Sequence, residues 1–122
     1  MSHEAKSWQF VCAIDHLSHA QCLEFELSAG SESVDESHNG FVLNWHGEIF
    51  AYLNSCPHTK VSMNWAPNQF FDIENQMLQC GLHGALFEPA SGLCIHGPCL
   101  GQSLRRIPLK LENAQIFAEI SQ

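Results

Sequence analysis

The chain has 122 residues, of which 45% are hydrophobic and 15% charged. That suits one compact domain with a packed core and excludes a multidomain enzyme carrying its own reductase and oxygenase parts. A formal charge of −8 repels phosphate backbones and anionic membranes, so no nucleic acid and no membrane partner is expected. Six cysteines fall below the density of disulfide-stapled secreted domains. With no basic-then-apolar leader and no long apolar stretch, the expectation is a cytoplasmic protein with reduced thiols.

Apolar residues recur at spacing two or in short runs, which predicts strands almost throughout and no helix. The first is expected over 10–14 and the second over 22–27, followed by a polar, turn-rich connection over 28–39. Residues 40–45 and 48–53 flank His46-Gly47 in the pattern of a hairpin, with a glycine for the positive φ of the turn. Short strands are expected at 70–73 and 77–79 around Glu74-Asn75-Gln76, and at 85–88 and 93–95 around Ala90-Ser91-Gly92. The last hairpin joins 106–111 to 114–120 through a Glu112-Asn113 turn. About nine or ten short strands fit an all-β fold, a small antiparallel sandwich or barrel.

Two segments concentrate soft and borderline metal ligands: Cys56-Pro57-His58 and, after residues 59–79, Cys80-Gly81-Leu82-His83. Each offers one thiolate and one imidazole, and each follows an expected strand, so both sit on loops at the end of a β scaffold. Pro57, Gly81 and Gly84 shape those loops, and rigid loops suit ligands that must stay in place. Two Cys and two His suit either zinc or a binuclear iron cluster. Structural zinc ligands within one turn are usually two to four residues apart, so the single residue between Cys56 and His58 leans toward adjacent irons.

These two boxes, as Cys56-Pro57-His58 and Cys80-Gly81-Leu82-His83-Gly84-Ala85, resemble the Cys-X-His and Cys-X-X-His boxes of Rieske iron–sulfur proteins. The approach Trp8 to Cys12, the hairpin into the first box, the 87–92 turn and Gly97-Pro98 extend the resemblance to most of the chain. It implies a single Rieske domain over 1–122, with a cluster-binding part at about 54–100 inserted in the scaffold, and one [2Fe–2S] cluster per chain. Cys56 and Cys80 would hold the buried iron, His58 and His83 the outer one, and Gly97-Pro98 would form a covering loop. The implied function is a monomeric one-electron carrier, with no substrate turnover of its own, between a flavoprotein reductase and an oxygenase or other terminal enzyme. The alternatives are a small Rieske subunit of a nitrite-reductase-like complex and a zinc-stabilised interaction domain with no redox role.

Departures from the family pattern carry expectations of their own. Val61 and Leu82 stand where high-potential members place an inter-loop disulfide, and Ala85 and Phe87 stand where those members have a serine and a tyrosine that donate to the cluster sulfurs. Fewer donors imply a potential near the lower end of the Rieske range, about −150 mV, with Lys60 opposing that trend if it faces the outer iron. Trp65-Ala66-Pro67 and Phe70-Phe71 in the spacer are read as a partner surface. Cys12 and Cys22 read as small buried hydrophobes. Cys94 and Cys99 could bridge a tight loop but are expected as thiols. His3, His16, His19, His38 and His46 receive no role, and His96 is read as a surface residue. The acidity is uneven, −7 over residues 1–59 against −1 over 60–122. An apolar tip of Pro57, Leu82, Pro98, Cys99 and Leu100 is therefore expected to make the contact while the acidic half steers basic partners.

Overall fold

In the computed structural model, residues 7–26, 39–54, 68–72, 76–80 and 84–120 are described. Nine strands are present among them: β1 (Ser7–Ala13), β2 (Gln21–Glu26), β3 (Asn39–Trp45), β4 (Glu48–Leu53), β5 (Leu78–Gln79), β6 (Leu86–Phe87), β7 (Cys94–His96), β8 (Leu109–Glu112) and β9 (Gln115–Ile120). All pairings are antiparallel, in three three-stranded sheets ordered β1-β9-β8, β2-β3-β4 and β5-β6-β7. The expected all-β fold is thus present. The one helical element among the described residues is a 3-10 turn, Ile14–His16, which takes Ile14 out of the strand expected to include it. No described helix is long and apolar enough to cross a membrane.

The β2-β3-β4 sheet is the middle layer because its strands carry apolar side chains on both faces. Alternation along a strand sends Val42 and Ala51 to one side and Phe41, Leu43 and Tyr52 to the other. On the first side Val42 and Ala51 pack with Cys12, Ile116 and Ala118 of the β1-β9-β8 sheet. On the second, Phe41, Leu43 and Tyr52 pack with Leu78, Cys80, Ala85, Phe87 and Cys94 of the small β5-β6-β7 sheet and its loops. Residues 40–43 are buried without a break, the pattern of a strand covered on both faces.

The β3–β4 hairpin has the expected register, with Trp45 opposite Glu48. His46 and Gly47 take φ of 53° and 87°, both left-handed as a two-residue hairpin turn requires. The Asn44 Oδ1 accepts the Gly47 N–H at 2.9 Å. His19, assigned no role from the sequence, braces this turn: its Nδ1 accepts the His46 N–H at 3.0 Å, and the two rings lie 4.5 Å apart.

Beyond shifts of a residue or a few at strand ends, three differences from expectation stand out. The strand read over 106–111 is divided at Pro108, which has no N–H to donate. Before it, Arg106 bridges Tyr52 and the Ile107 N–H reaches Ala51 O; after it, β8 pairs with β9. The chain thus passes from the middle sheet to the first sheet at the proline. The final turn is Asn113-Ala114, at φ of 55° and 62°, rather than Glu112-Asn113. The strand read over 70–73 is reduced among its described residues to a Phe71–Leu78 bridge and two ladder bonds. There the Asp72 carboxylate also accepts the Gln76 and Met77 N–H groups. Of the connection read over 28–39, all but Asn39 lies outside the described residues.

Phe70 and Phe71 are buried, contrary to their reading as a partner surface. Phe70 stacks on Phe41 at 3.9 Å and Phe71 on Trp45 at 5.6 Å, so aromatic packing against the middle sheet claims both rings. Trp65-Ala66-Pro67 lie outside the described residues. Cys12 is buried and Cys22 half-buried in the core, as expected of small hydrophobes, and burial pushes both thiols up from their ordinary value.

One polar contact ties the small sheet to the middle one. The buried Tyr52 hydroxyl donates to Pro89 O at 2.8 Å, in the β6–β7 turn. The Arg106 guanidinium, 5.9 Å from the Tyr52 ring, donates to Ala90 O at 2.6 Å in the same turn. Burial raises the Tyr52 pKa, partly offset by Arg106, so the phenol keeps its proton and remains a donor. Tyr52→Phe leaves a buried carbonyl without that donor and should cost about 1–3 kcal/mol, read as a lower urea midpoint. An unchanged midpoint would show that the tether is dispensable.

Candidate metal centre

Of the four expected ligands, Cys80 lies within the described residues; Cys56, His58 and His83 lie outside them, as do Pro57, Lys60, Val61 and Leu82. Cys80 follows β5 directly and is fully buried. Its backbone is committed on both sides: its N–H donates to Ala85 O at 2.9 Å, and its C=O accepts the Gly84 N–H at 2.8 Å. These two bonds close the ends of the second box and bring Cys80 beside the start of β6. Gly84 makes the closure at φ 72°, a left-handed conformation in which a Cβ is strained.

The entry to the first box is equally fixed. The Leu53 N–H donates to Arg105 O at 2.8 Å, and the Asn54 N–H to Asn39 O at 2.9 Å. Asn54 is itself buried, so the chain leaves the middle sheet from an anchored residue two positions before Cys56. The spacer returns to the described residues at Asn68, where a two-way clasp holds it to β2. The Asn68 N–H donates to Glu24 Oε2 at 2.7 Å, and the Glu24 N–H to Asn68 Oδ1 at 2.8 Å.

The third segment reaches the second box. Residues 94–102 form a loop closed at its base, where the Cys94 N–H donates to Gln102 O at 2.7 Å and the Gly101 N–H to Cys94 O at 3.1 Å. Its tip rests on Ala85: a Cβ on Gly97 would lie 2.8 Å from Ala85 Cα and 3.0 Å from Ala85 Cβ. Such a close approach admits glycine alone without displacement. Gly97 therefore sits directly against Ala85, next to Gly84 at the end of the second box. The tight fit between Gly97 and Ala85 is a contact that sequence reasoning did not specify; its only advance signal was a Gly-Pro pair in a short loop.

Ala85 and Phe87 are both fully buried and bring no hydroxyl to this side of the box. On the outer surface of the loop Pro98 is exposed and Leu100 is 65% exposed, with Ile95 beside them at 38%. Cys99, expected in this apolar tip, points inward and is fully buried, because the base of the loop folds its side chain toward Cys94. His96 is exposed, in keeping with a surface role. Among the described residues no group of three or more His, Cys, Asp or Glu converges as a separate metal site.

A family model described as Rieske [2Fe-2S] domain matches residues 7–114. Among solved structures, the chain is similar to the ferredoxin of carbazole 1,9a-dioxygenase from Nocardioides aromaticivorans IC177, with a TM-score of 0.70 at 17% identity over 94% of this chain and 99% of that one. It is also similar to the terminal oxygenase of carbazole 1,9a-dioxygenase from Novosphingobium sp. KA1, with a TM-score of 0.71 at 16% identity. That match covers 94% of this chain but only 30% of the oxygenase chain. A complex of reduced oxygenase and oxidized ferredoxin in carbazole 1,9a-dioxygenase matches at a TM-score of 0.66 and 15% identity, over 91% of both chains. At these identities the likeness concerns the fold. Among curated proteins no relative matches. The boxes, the Gly97-Pro98 loop seated on Ala85 and a family match over 7–114 lead to one conclusion: the chain belongs to the Rieske [2Fe-2S] domain family.

Proposed function

We propose that this protein is a one-electron carrier that holds one [2Fe–2S] cluster and passes electrons from a flavoprotein reductase to a terminal oxygenase. The observation that carries the reading is the seating of Gly97 on Ala85, the residue whose carbonyl accepts the N–H of buried Cys80. The residues present fit the group. A buried thiol at the end of a strand suits the inner iron, and the packing of Gly97 on Ala85 holds the backbone next to it in place, as a redox centre requires. Cys56 and Cys80 are the proposed thiolate ligands and His58 and His83 the proposed imidazole ligands, in a single domain over 1–122.

When bound, the cluster supplies a site that gains and loses one electron. The chain's own contribution is positional. The short β5-β6-β7 sheet fixes Cys80, and the closed loop 94–102 holds Gly97 against Ala85. Pro98, Leu100 and Ile95 present an apolar, uncharged surface beside the box for transient contact with a partner. No turnover site of its own enters this reading. The oxygenase as recipient is supported by the likeness to a ferredoxin of nearly the same extent as this chain. A cytoplasmic, monomeric carrier is the form in which that contact surface remains available.

Stepwise reduction of the purified protein tests the function directly. The expected result is uptake of one electron per chain at a midpoint near −150 mV, since buried Ala85 and Phe87 offer no hydroxyl to stabilise the reduced form. A midpoint well above zero would overturn the low-potential reading, and metal without acid-labile sulfide would leave only a zinc-type domain. The covering contact is tested by Gly97→Ala against Gly101→Ala. Both positions have positive φ, 109° and 89°, but Gly101 has open space around it. Each should lose about 1–2 kcal/mol to backbone strain, and Gly97→Ala a further ~1–3 kcal/mol to overpacking on Ala85, with faster bleaching of visible absorbance. Equal losses from the two variants would contradict the seating.

A further inference from the structure

Cys94 and Cys99 stand at opposite sides of the covering loop and belong to neither ligand box. The loop's own hydrogen bonds bring them together: the Gln102 N–H donates to Cys99 O at 2.8 Å, and the Leu100 N–H to Gly97 O at 3.2 Å. These bonds fold residues 97–102 back over Cys94. The Cys99 thiol donates to Cys94 Sγ at 3.2 Å, and the Cys94 thiol to His96 O at 3.3 Å. Both cysteines are thiols, exposed by 0% and 1%. A disulfide needs its sulfurs at about 2.05 Å, so the pair must close by roughly one further ångström, with only four residues intervening.

This pair differs from the other core cysteines outside the boxes. Cys12 and Cys22 lie in separate strands, β1 and β2, whereas Cys94 and Cys99 share one short loop with their sulfurs 3.2 Å apart. The two thiols are buried, but residues 95–98 and 100–103 around them are exposed, so local opening of this short loop brings the pair to solvent.

We propose that Cys94 and Cys99 form a dithiol site that a peroxide converts to a disulfide within the covering loop, pinning the segment that seats Gly97 on Ala85. One thiol gives up its proton and attacks the O–O bond, which breaks. Its sulfur becomes a sulfenic acid, and the departing oxygen takes up a proton and leaves as water. The second thiol then attacks that sulfur. The S–S bond forms, the S–O bond breaks, and the hydroxyl leaves as a second water with the second thiol's proton. The two thiols lose two electrons, and the peroxide gains them. A cellular dithiol reductant reverses the change by thiol–disulfide exchange. The closed form holds the base and tip of the loop together without altering the ligand boxes.

Treatment of the intact protein with hydrogen peroxide tests the site, followed by alkylation of remaining thiols in denaturant and cleavage after glutamate. The fragment 89–112 contains Cys94 and Cys99 and no other cysteine. The expected product is this fragment unalkylated and lighter by two hydrogens, returning to double alkylation after reductant. Cys99→Ser should leave Cys94 unable to form this product. Amide exchange over 94–102 should slow on oxidation and recover on reduction. Double alkylation of the fragment at doses that oxidise other cysteines, or a cross-link from it to Cys80, would overturn the proposal; unchanged exchange in the oxidised loop would overturn the pinning. Neither readout requires the cluster, so its failure is separable from failure of the electron-carrier reading.

Discussion

The smallest sheet in the molecule cannot hold itself together. β5 and β6 have two residues each and β7 has three, a size at which strand pairing alone is not stable in water. What keeps Cys80 in place is burial. Leu78, Cys80, Ala85, Phe87 and Cys94 pack against Phe41, Leu43 and Tyr52 in one continuous core. The scaffold sheet is itself held from behind by the packing of Val42 and Ala51 on Ile116 and Ala118. The small sheet that carries Cys80 is therefore the outer layer of a three-layer stack, and its placement depends on a middle sheet that is apolar on both faces.

This arrangement explains why polar contacts matter so much at the junction. Apolar packing fixes how closely two layers approach but constrains their lateral registration weakly. The Tyr52 hydroxyl on Pro89 O and the Arg106 guanidinium on Ala90 O are directional, and both grip the same turn. Through β6 and β7 that turn is continuous with Ala85 on one side and with the covering loop on the other. The clasp between Asn68 and Glu24 performs the matching service for the spacer. Rigid positioning of this kind lets a redox centre change charge with little rearrangement of its ligands.

The middle hairpin was readable from the sequence because its register is enforced twice, by the His46-Gly47 turn and by alternation that buries residues on both faces. The two boxes stand out in the sequence because Cys and His at those spacings have few uses other than binding metal, and of the four proposed ligands Cys80 lies within the described residues. The boundaries that failed have specific causes. Pro108 divides one apparent strand between two sheets, an effect of where the missing N–H falls in three dimensions. The Asp72 carboxylate takes up the Gln76 and Met77 N–H groups, a side-chain bond that composition does not announce. Phe70-Phe71 look like surface aromatics until Phe41 and Trp45, far away in sequence, supply rings to stack on. Cys99 faces inward because bonds within its own loop turn it there, which no linear pattern encodes.

In the proposed centre one thiolate pair, Cys56 and Cys80, and one imidazole pair, His58 and His83, would share a binuclear cluster. Pulsed electron paramagnetic resonance of the reduced protein, prepared with natural-abundance and ¹⁵N-labelled histidine, tests it most directly. The account predicts strong couplings to two nitrogens that change on labelling, with one lost in His83→Cys while the cluster remains. A reduced cluster whose spectrum is indifferent to histidine labelling would contradict it.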